Sequence, residues 1–178
     1  MGEAVVKRRF LVAFVVLGLL LAIPLSRAGA ATQTTHDVTP IGGNTAVGTS
    51  TLTRTGSGVS FSLATTGLEP GHAVTIWWMA ANPDGGMAVL YAAGHVIDQG
   101  GTAEFGGYLQ VGDDTGYQMG DDMGDDRTLE DALGATVSLV VRDHGPAKPG
   151  TVDDQIHTFG ECNPACHDLQ LSVHPPAS

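Results

Sequence analysis

The chain has 178 residues and a formal net charge of −11, with 8 basic side chains against 19 acidic ones. A field of that sign repels nucleic acid and anionic membrane surfaces and excludes both as partners. With 25 glycines, 9 prolines and few runs of strong helix formers, the composition points to one Gly-punctuated domain of strands and turns.

Lys7, Arg8 and Arg9 precede an apolar run of 15 residues from Phe10 to Pro24, and the small triplet Ala28-Gly29-Ala30 follows. A basic start, a short apolar run and an A-x-A site predict a secretory signal peptide, residues 1–30, cleaved after Ala30. The run is shorter than the roughly 20 residues a membrane span needs. Arg8-Arg9 gives a weaker match to twin-arginine export, but the usual residue between the pair and the apolar run is missing. The expected exported form, residues 31–178, is soluble and free of the membrane. It keeps only Arg54, Arg127, Arg142 and Lys148 against 18 acids, because Glu3 leaves with the signal, so its net charge is −14.

Residues 31–48, rich in Thr and Gly, read as a flexible leader, and 49–178 as a single domain. Leu52 and its threonine neighbours predict a strand, turned at Gly56-Ser57-Gly58 into a second in which Val59, Phe61 and Leu63 alternate with Ser60, Ser62 and Ala64. Gly67-Leu68-Glu69-Pro70-Gly71 is a turn leading into Ala73 to Met79, apolar on both faces and so expected to be a central strand. That turn resembles the one in fibronectin type III and related immunoglobulin-like domains, which implies a two-sheet sandwich. After a turn at Asn82 to Gly86, the segments Ala88–Ile97 and Thr102–Val111 predict a hairpin around Asp98 to Gly101. Gly106-Gly107 marks a bulge or a close backbone approach. Thr128–Leu133 fits one helical turn capped by Thr128 and ended by Gly134, and Val137–Val141 fits a strand. A loop over 143–150 and short strands at Gln155–Phe159 and Leu169–His174 complete the chain. About eight short strands with little helix predict an all-β fold, an antiparallel immunoglobulin-like β-sandwich, with a small barrel as the alternative.

Seven histidines are present, and His144, His157, His167 and His174 crowd the last 35 residues beside Cys162 and Cys166. Imidazole and thiolate suit copper or zinc, with Asp143 or Asp168 able to complete a site, although the spacing matches no paired C-x₂-C template. In an exported chain the default for Cys162-Asn-Pro-Ala-Cys166 is a disulfide. The C-x₃-C spacing between late strands also resembles the dinuclear copper loop of cupredoxin-like oxidase subunits. The histidine and methionine that follow in that family fall here on Gln170 and Val173. Gly-Asp-Asp occurs three times between Gly112 and Arg127, so Asp113, Asp114, Asp121, Asp122, Asp125 and Asp126 form a possible calcium loop, without the alternate spacing of an EF-hand. Trp77 and Trp78 must face opposite sides of their strand, one for the core and one available as a stacking platform. No nucleophile elbow, phosphate loop or evident acid–base pair is present.

The strings Gly67-Leu-Glu-Pro-Gly-His-Ala-Val-Thr-Ile-Trp-Trp78 and Val141-Arg-Asp-His-Gly-Pro-Ala147, with Gln155-Ile-His-Thr-Phe159, resemble a group of uncharacterised secreted prokaryotic β-sandwich proteins. A fainter similarity is to the chordin-type (CHRD) repeat, whose further histidines after the turn are reduced here to His72. Neither resemblance implies an activity. Two readings of function remain: a non-enzymatic extracellular module that binds a protein, a glycan or a surface, or a copper- or zinc-binding protein, redox-active if the metal is copper, that uses the four late histidines.

Overall fold

A computed structural model describes residues 30–113 and 128–177. Eight antiparallel strands run in the order β1 (Thr32–Pro40), β2 (Gly48–Thr55), β3 (Gly58–Thr66), β4 (His72–Ala81), β5 (Met87–Val96), β6 (Thr102–Gln110), β7 (Thr136–Pro146) and β8 (His167–His174). A four-residue helix, α1 (Val152–Gln155), lies between the last two. The ladder order is β5-β4-β7-β8-β1-β2-β3-β6, a nearly closed sheet with two faces. β1-β2-β3-β6 form one face and β5-β4-β7-β8 the other. β1 joins them at a corner: residues 32–38 pair with β2, while Thr39 and Pro40 pair with β8. The all-β sandwich expected from the sequence is thus the fold, and its near-closure gives it a barrel-like outline.

The local reasons are legible in the strands that alternate cleanly. The two residues Gly56-Ser57 turn β2 into β3, with Thr55 opposite Gly58, as a two-residue hairpin loop requires. The connections β3→β4 and β6→β7 both cross between the faces, so β3 neighbours β6 on one and β4 neighbours β7 on the other. This interlocking is the immunoglobulin-like feature of the topology. Between the faces lie Leu52, Phe61, Leu63 and Phe105 from one side and Ile76, Trp78, Leu90, Leu139 and Val141 from the other. Trp78 meets Phe61 edge-on, with ring centroids 4.8 Å apart, an arrangement the ring quadrupoles favour.

Four expectations need correction, and at Gly106-Gly107 the close backbone approach holds in place of the bulge. The predicted leader contains β1, a full strand of the sheet. Its inward positions, Thr34 and His36, are polar, so it lacks the apolar alternation that marks β3. The predicted hairpin of β5 and β6 does not pair: β5 bonds to β4 and β6 to β3, and Asp98–Gly101 carries the chain from one face to the other. Gly106-Gly107 causes no register shift. A Cβ at Gly107 would lie 2.8 Å from the Phe61 ring and 3.3 Å from the Ala92 carbonyl, so the glycine permits β6 to close against β5. Gln155–Phe159 is not a strand but the end of α1 and the turn after it. Near residue 130, Asp131 rather than Thr128 does the capping: its Oδ1 accepts from the Leu133 and Gly134 amides at 3.0 and 2.9 Å.

Candidate functional site

The outer face of β1-β2-β3-β6 is covered by no other element among the described residues, and just over half of its side chains carry a hydroxyl. In register across the four strands run Gln33, Thr53, Ser60 and Tyr108; then Thr35, Thr51, Ser62 and Gly106; then Asp37, Thr49, Ala64 and Glu104. Two clefts of about 830 and 400 Å³ share Thr49, Ala64 and Glu104 in their walls. The larger also takes in Asp37, His95 and Asp98. Small side chains at Ser62, Ala64 and Gly106 keep the floor low. Tyr108 stands at one edge, 57% exposed, with its hydroxyl donating to the Ser57 carbonyl at 3.3 Å. Among the described residues no Lys or Arg projects from this face. Of the described cations, Arg54 is buried, Arg142 is on β7, and Lys148 is in the loop after it.

β8 turns a polar edge inward. Gln170, Ser172 and His174 are all buried, and each is matched by a polar group from the opposite face. Thr65 Oγ1 donates to Gln170 Oε1 at 2.6 Å, and Gln170 Nε2 donates to the Thr66 carbonyl at 2.9 Å. Ser50 Oγ lies 2.6 Å from Ser172 Oγ and 2.7 Å from His174 Nε2, while His174 Nδ1 lies 2.9 Å from Thr34 Oγ1. Beneath them Arg54, fully buried, donates to four carbonyls: Ala132 and Ala135 from Nη1, His174 and Pro175 from Nη2. Burial lowers the His174 pKa to about 4, helped by the nearby His36 and Arg54 charges. Ser50 and His174 approach as a nucleophile and its base would, but they are 1% and 0% exposed, so no substrate carbonyl reaches them.

On the outer face of the other sheet, the β7–β8 excursion forms a small second core. Trp77 lies beneath Phe159 at 4.8 Å and beside Tyr91 at 5.9 Å. It is 1% exposed, so it is packing and offers no stacking platform. Arg142 lays its guanidinium over Phe159 at 3.8 Å and pairs with Asp168. His144, fully buried, sits at the end of this core. Its Nδ1 is 3.1 Å from the Glu161 carbonyl, which can only accept, so Nδ1 carries the proton. Nε2 then accepts from Thr75 Oγ1 at 2.8 Å, and Thr75 Oγ1 accepts from the Trp77 indole N–H at 2.8 Å. Burial is the main cause that lowers the His144 pKa and keeps the ring neutral.

Cys162 and Cys166 form a disulfide with Cα atoms 5.1 Å apart, as expected for an exported chain. Cys166 Sγ is 3.5 Å from His144 Nδ1. The loop that carries both cysteines is clamped to β7 by the Asn163 amide donating to the His144 carbonyl at 2.7 Å and by Asn163 Nδ2 donating to the Pro146 carbonyl at 3.0 Å. Gly145 makes this approach possible. Its φ is +80°, and a Cβ there would fall 1.8 Å from the Asn163 carbonyl. Gly145→Ala is therefore expected to cost roughly 2 kcal/mol or more through strain and displacement of the loop, read as a lower urea midpoint.

The four late histidines do not converge. His144 and His174 lie at opposite ends of the β7–β8 ladder, where His174 faces Val137. Seven residues of strand separate them, about 23 Å. His167 is opposite Asp143, one residue from His144 and so on the other side of the sheet. His157 is exposed at the end of α1, its Nδ1 2.7 Å from the Asp153 carbonyl. What the fold does gather is His144 with Cys162 and Cys166, with one ligand atom from each inside 4.8 Å. Of the proposed calcium loop only Asp113 is described; Asp114, Asp121, Asp122, Asp125 and Asp126 lie outside the described residues. Sequence reasoning missed the inward polar edge of β8 and Arg54. The signal for the first was the alternation of Gln170, Ser172 and His174 with Leu169, Leu171 and Val173, which marks a strand without saying which of its faces turns inward. No protein-family model, curated protein or solved structure matches the chain.

Proposed function

We propose that this domain is a non-enzymatic, extracytoplasmic binding module that holds a glycan on the outer face of its β1-β2-β3-β6 sheet. The observation that carries the reading is that open face itself. Rows of hydroxyls with the Gln33 amide, two adjoining clefts and one exposed aromatic ring occupy the position where a globular domain with no ligand could carry any mixture of charges. A sugar offers vicinal hydroxyls and an apolar ring face. Carboxylates at Asp37 and Glu104 accept from the former, threonine hydroxyls both donate and accept, and the Tyr108 ring offers a surface to the latter. With acids and, among the described residues, no Lys or Arg on the face, neutral and amino-sugar polymers are favoured and sulfated or uronic ones are repelled. The disulfide is compatible with an extracellular setting.

The test is sedimentation of the purified protein with insoluble cellulose, chitin and chitosan, with heparin and alginate as soluble acidic competitors. Retention on at least one neutral or amino-sugar polymer is expected, with no competition from the acidic ones. Tyr108→Ala should weaken binding about tenfold, the scale of one aromatic contact, with no change in the melting temperature. Glu104→Gln should weaken the amino-sugar polymer most. Absence of retention on all three polymers, or retention unaffected by both substitutions, would sink the proposal.

A further inference from the structure

A second site lies on the opposite sheet and owes nothing to the glycan face. We propose that His144, Cys162 and Cys166, once their disulfide is reduced, form a three-donor site for a single copper(I) ion.

The donor set selects the metal. Two thiolates and an imidazole are soft ligands suited to copper(I) or zinc. Structural zinc takes four protein ligands, and the group gathered here has three members among the described residues. Three donors satisfy copper(I). Ligand bonds of about 2.0–2.3 Å place trigonal donors roughly 3.5–4.0 Å apart. His144 Nδ1 and Cys166 Sγ already stand at 3.5 Å. The sulfurs must part when their bond breaks, and the loop can allow this because Asn163, rather than the disulfide alone, clamps it to β7. Carbonyls of Gly160 and Phe159 lie 3.2 and 3.8 Å from Cys162 Sγ and Cys166 Sγ, so both thiols find acceptors in the reduced, metal-free state.

The chemistry balances in two steps. A dithiol reductant gives two electrons and two protons: the Cys162–Cys166 bond breaks, both sulfurs become thiols, and the reductant leaves as its own disulfide. Copper(I) then displaces the two thiol protons without changing its oxidation state. The imidazole gives up its Nδ1 proton and takes one at Nε2, where Thr75 Oγ1 accepts it. Thr75, held in turn by the Trp77 indole, thus orients the ligand ring from behind.

Cu(I) is titrated anaerobically into phosphine-reduced and oxidised protein against a chromophoric Cu(I) chelator. The reduced protein should take one Cu(I) per chain and the oxidised protein none. His144→Gln should lower the affinity at least tenfold, and Cys162→Ser or Cys166→Ser should abolish tight binding. X-ray absorption on the loaded wild type should report two sulfurs and one imidazole nitrogen, a readout that needs no variant to fold. Equal uptake by the oxidised form, no stoichiometric uptake by the reduced form, or a shell of two sulfurs without nitrogen would each overturn the assignment.

Discussion

Replacing Arg54 with leucine is expected to lower the unfolding free energy by roughly 3–5 kcal/mol, the largest effect of any single substitution proposed here. The leucine would fill much of the space, so the cost comes from what it cannot do. The carbonyls of Ala132, Ala135, His174 and Pro175 all lose a charged donor in a place that water does not enter. Those four groups belong to the turn before β7 and to the end of β8, so one side chain from β2 ties three separate stretches together. Burial lowers the Arg54 pKa, with the Asp131 charge acting in the opposite direction; the carbonyls stabilise the guanidinium in place of water. Arg54→Lys keeps the charge but loses the planar fork, and should fall between the two. Urea unfolding followed by tryptophan fluorescence measures this directly. A loss below about 1 kcal/mol for the leucine variant would mean that the four bonds contribute little.

The second large effect is acid lability centred on His174. Its pKa is lowered to about 4 in the folded protein, against about 6.5 when unfolded. The unfolded chain therefore binds the proton more readily, and stability falls as pH drops from about 6.5 towards 4, then levels off below the folded value. Full expression of the difference is worth roughly 3 kcal/mol. His144, lowered in the same direction, adds to the slope. His174→Gln, which can still bond Ser50 and Thr34, should flatten the pH dependence while leaving stability at pH 7 closer to wild type. Urea midpoints at pH 7.5, 5.5 and 4.0 give the comparison. A wild-type curve that is flat from pH 7 to 4.5 would show that the ring takes up its proton as readily in the fold as in the unfolded chain.

How much of this was legible depended on what each strand turned inward. Val59, Phe61 and Leu63 announce β3 because their partners across the gap are apolar, and the same holds for Val74, Ile76 and Trp78 on β4. β1 stayed hidden for the complementary reason, and β8, though readable as a strand over Leu169–His174, gave no sign of which face it turns inward. Their inner faces meet each other and the end of β2 through Thr34, His36, Ser50, Ser172 and His174, so polarity no longer distinguishes inside from outside. Adjacency misled twice. β5 and β6 are neighbours in sequence joined by a short turn, but the chain uses that turn to change sheets. The four late histidines are also close in sequence, yet antiparallel β7 and β8 carry His144 and His174 to opposite ends. The cysteine pair was readable from compartment and spacing, whereas the histidine beside it was one of several candidates until the register singled it out.

The corner strand has a consequence for how the protein comes to be made. β1 is synthesised first and β8 last, yet Thr39 pairs with Leu171 and the side chain of Thr34 rests on His174, 140 residues later. No partial chain can therefore complete the structure. The opening strand must wait, unpaired on one side, until the final stretch arrives. Contacts of such high sequence separation place folding in the slow range of milliseconds to seconds typical of non-local β topologies. Truncation within β8 would thus remove the closing step itself, leaving the early strands with nothing to shut against.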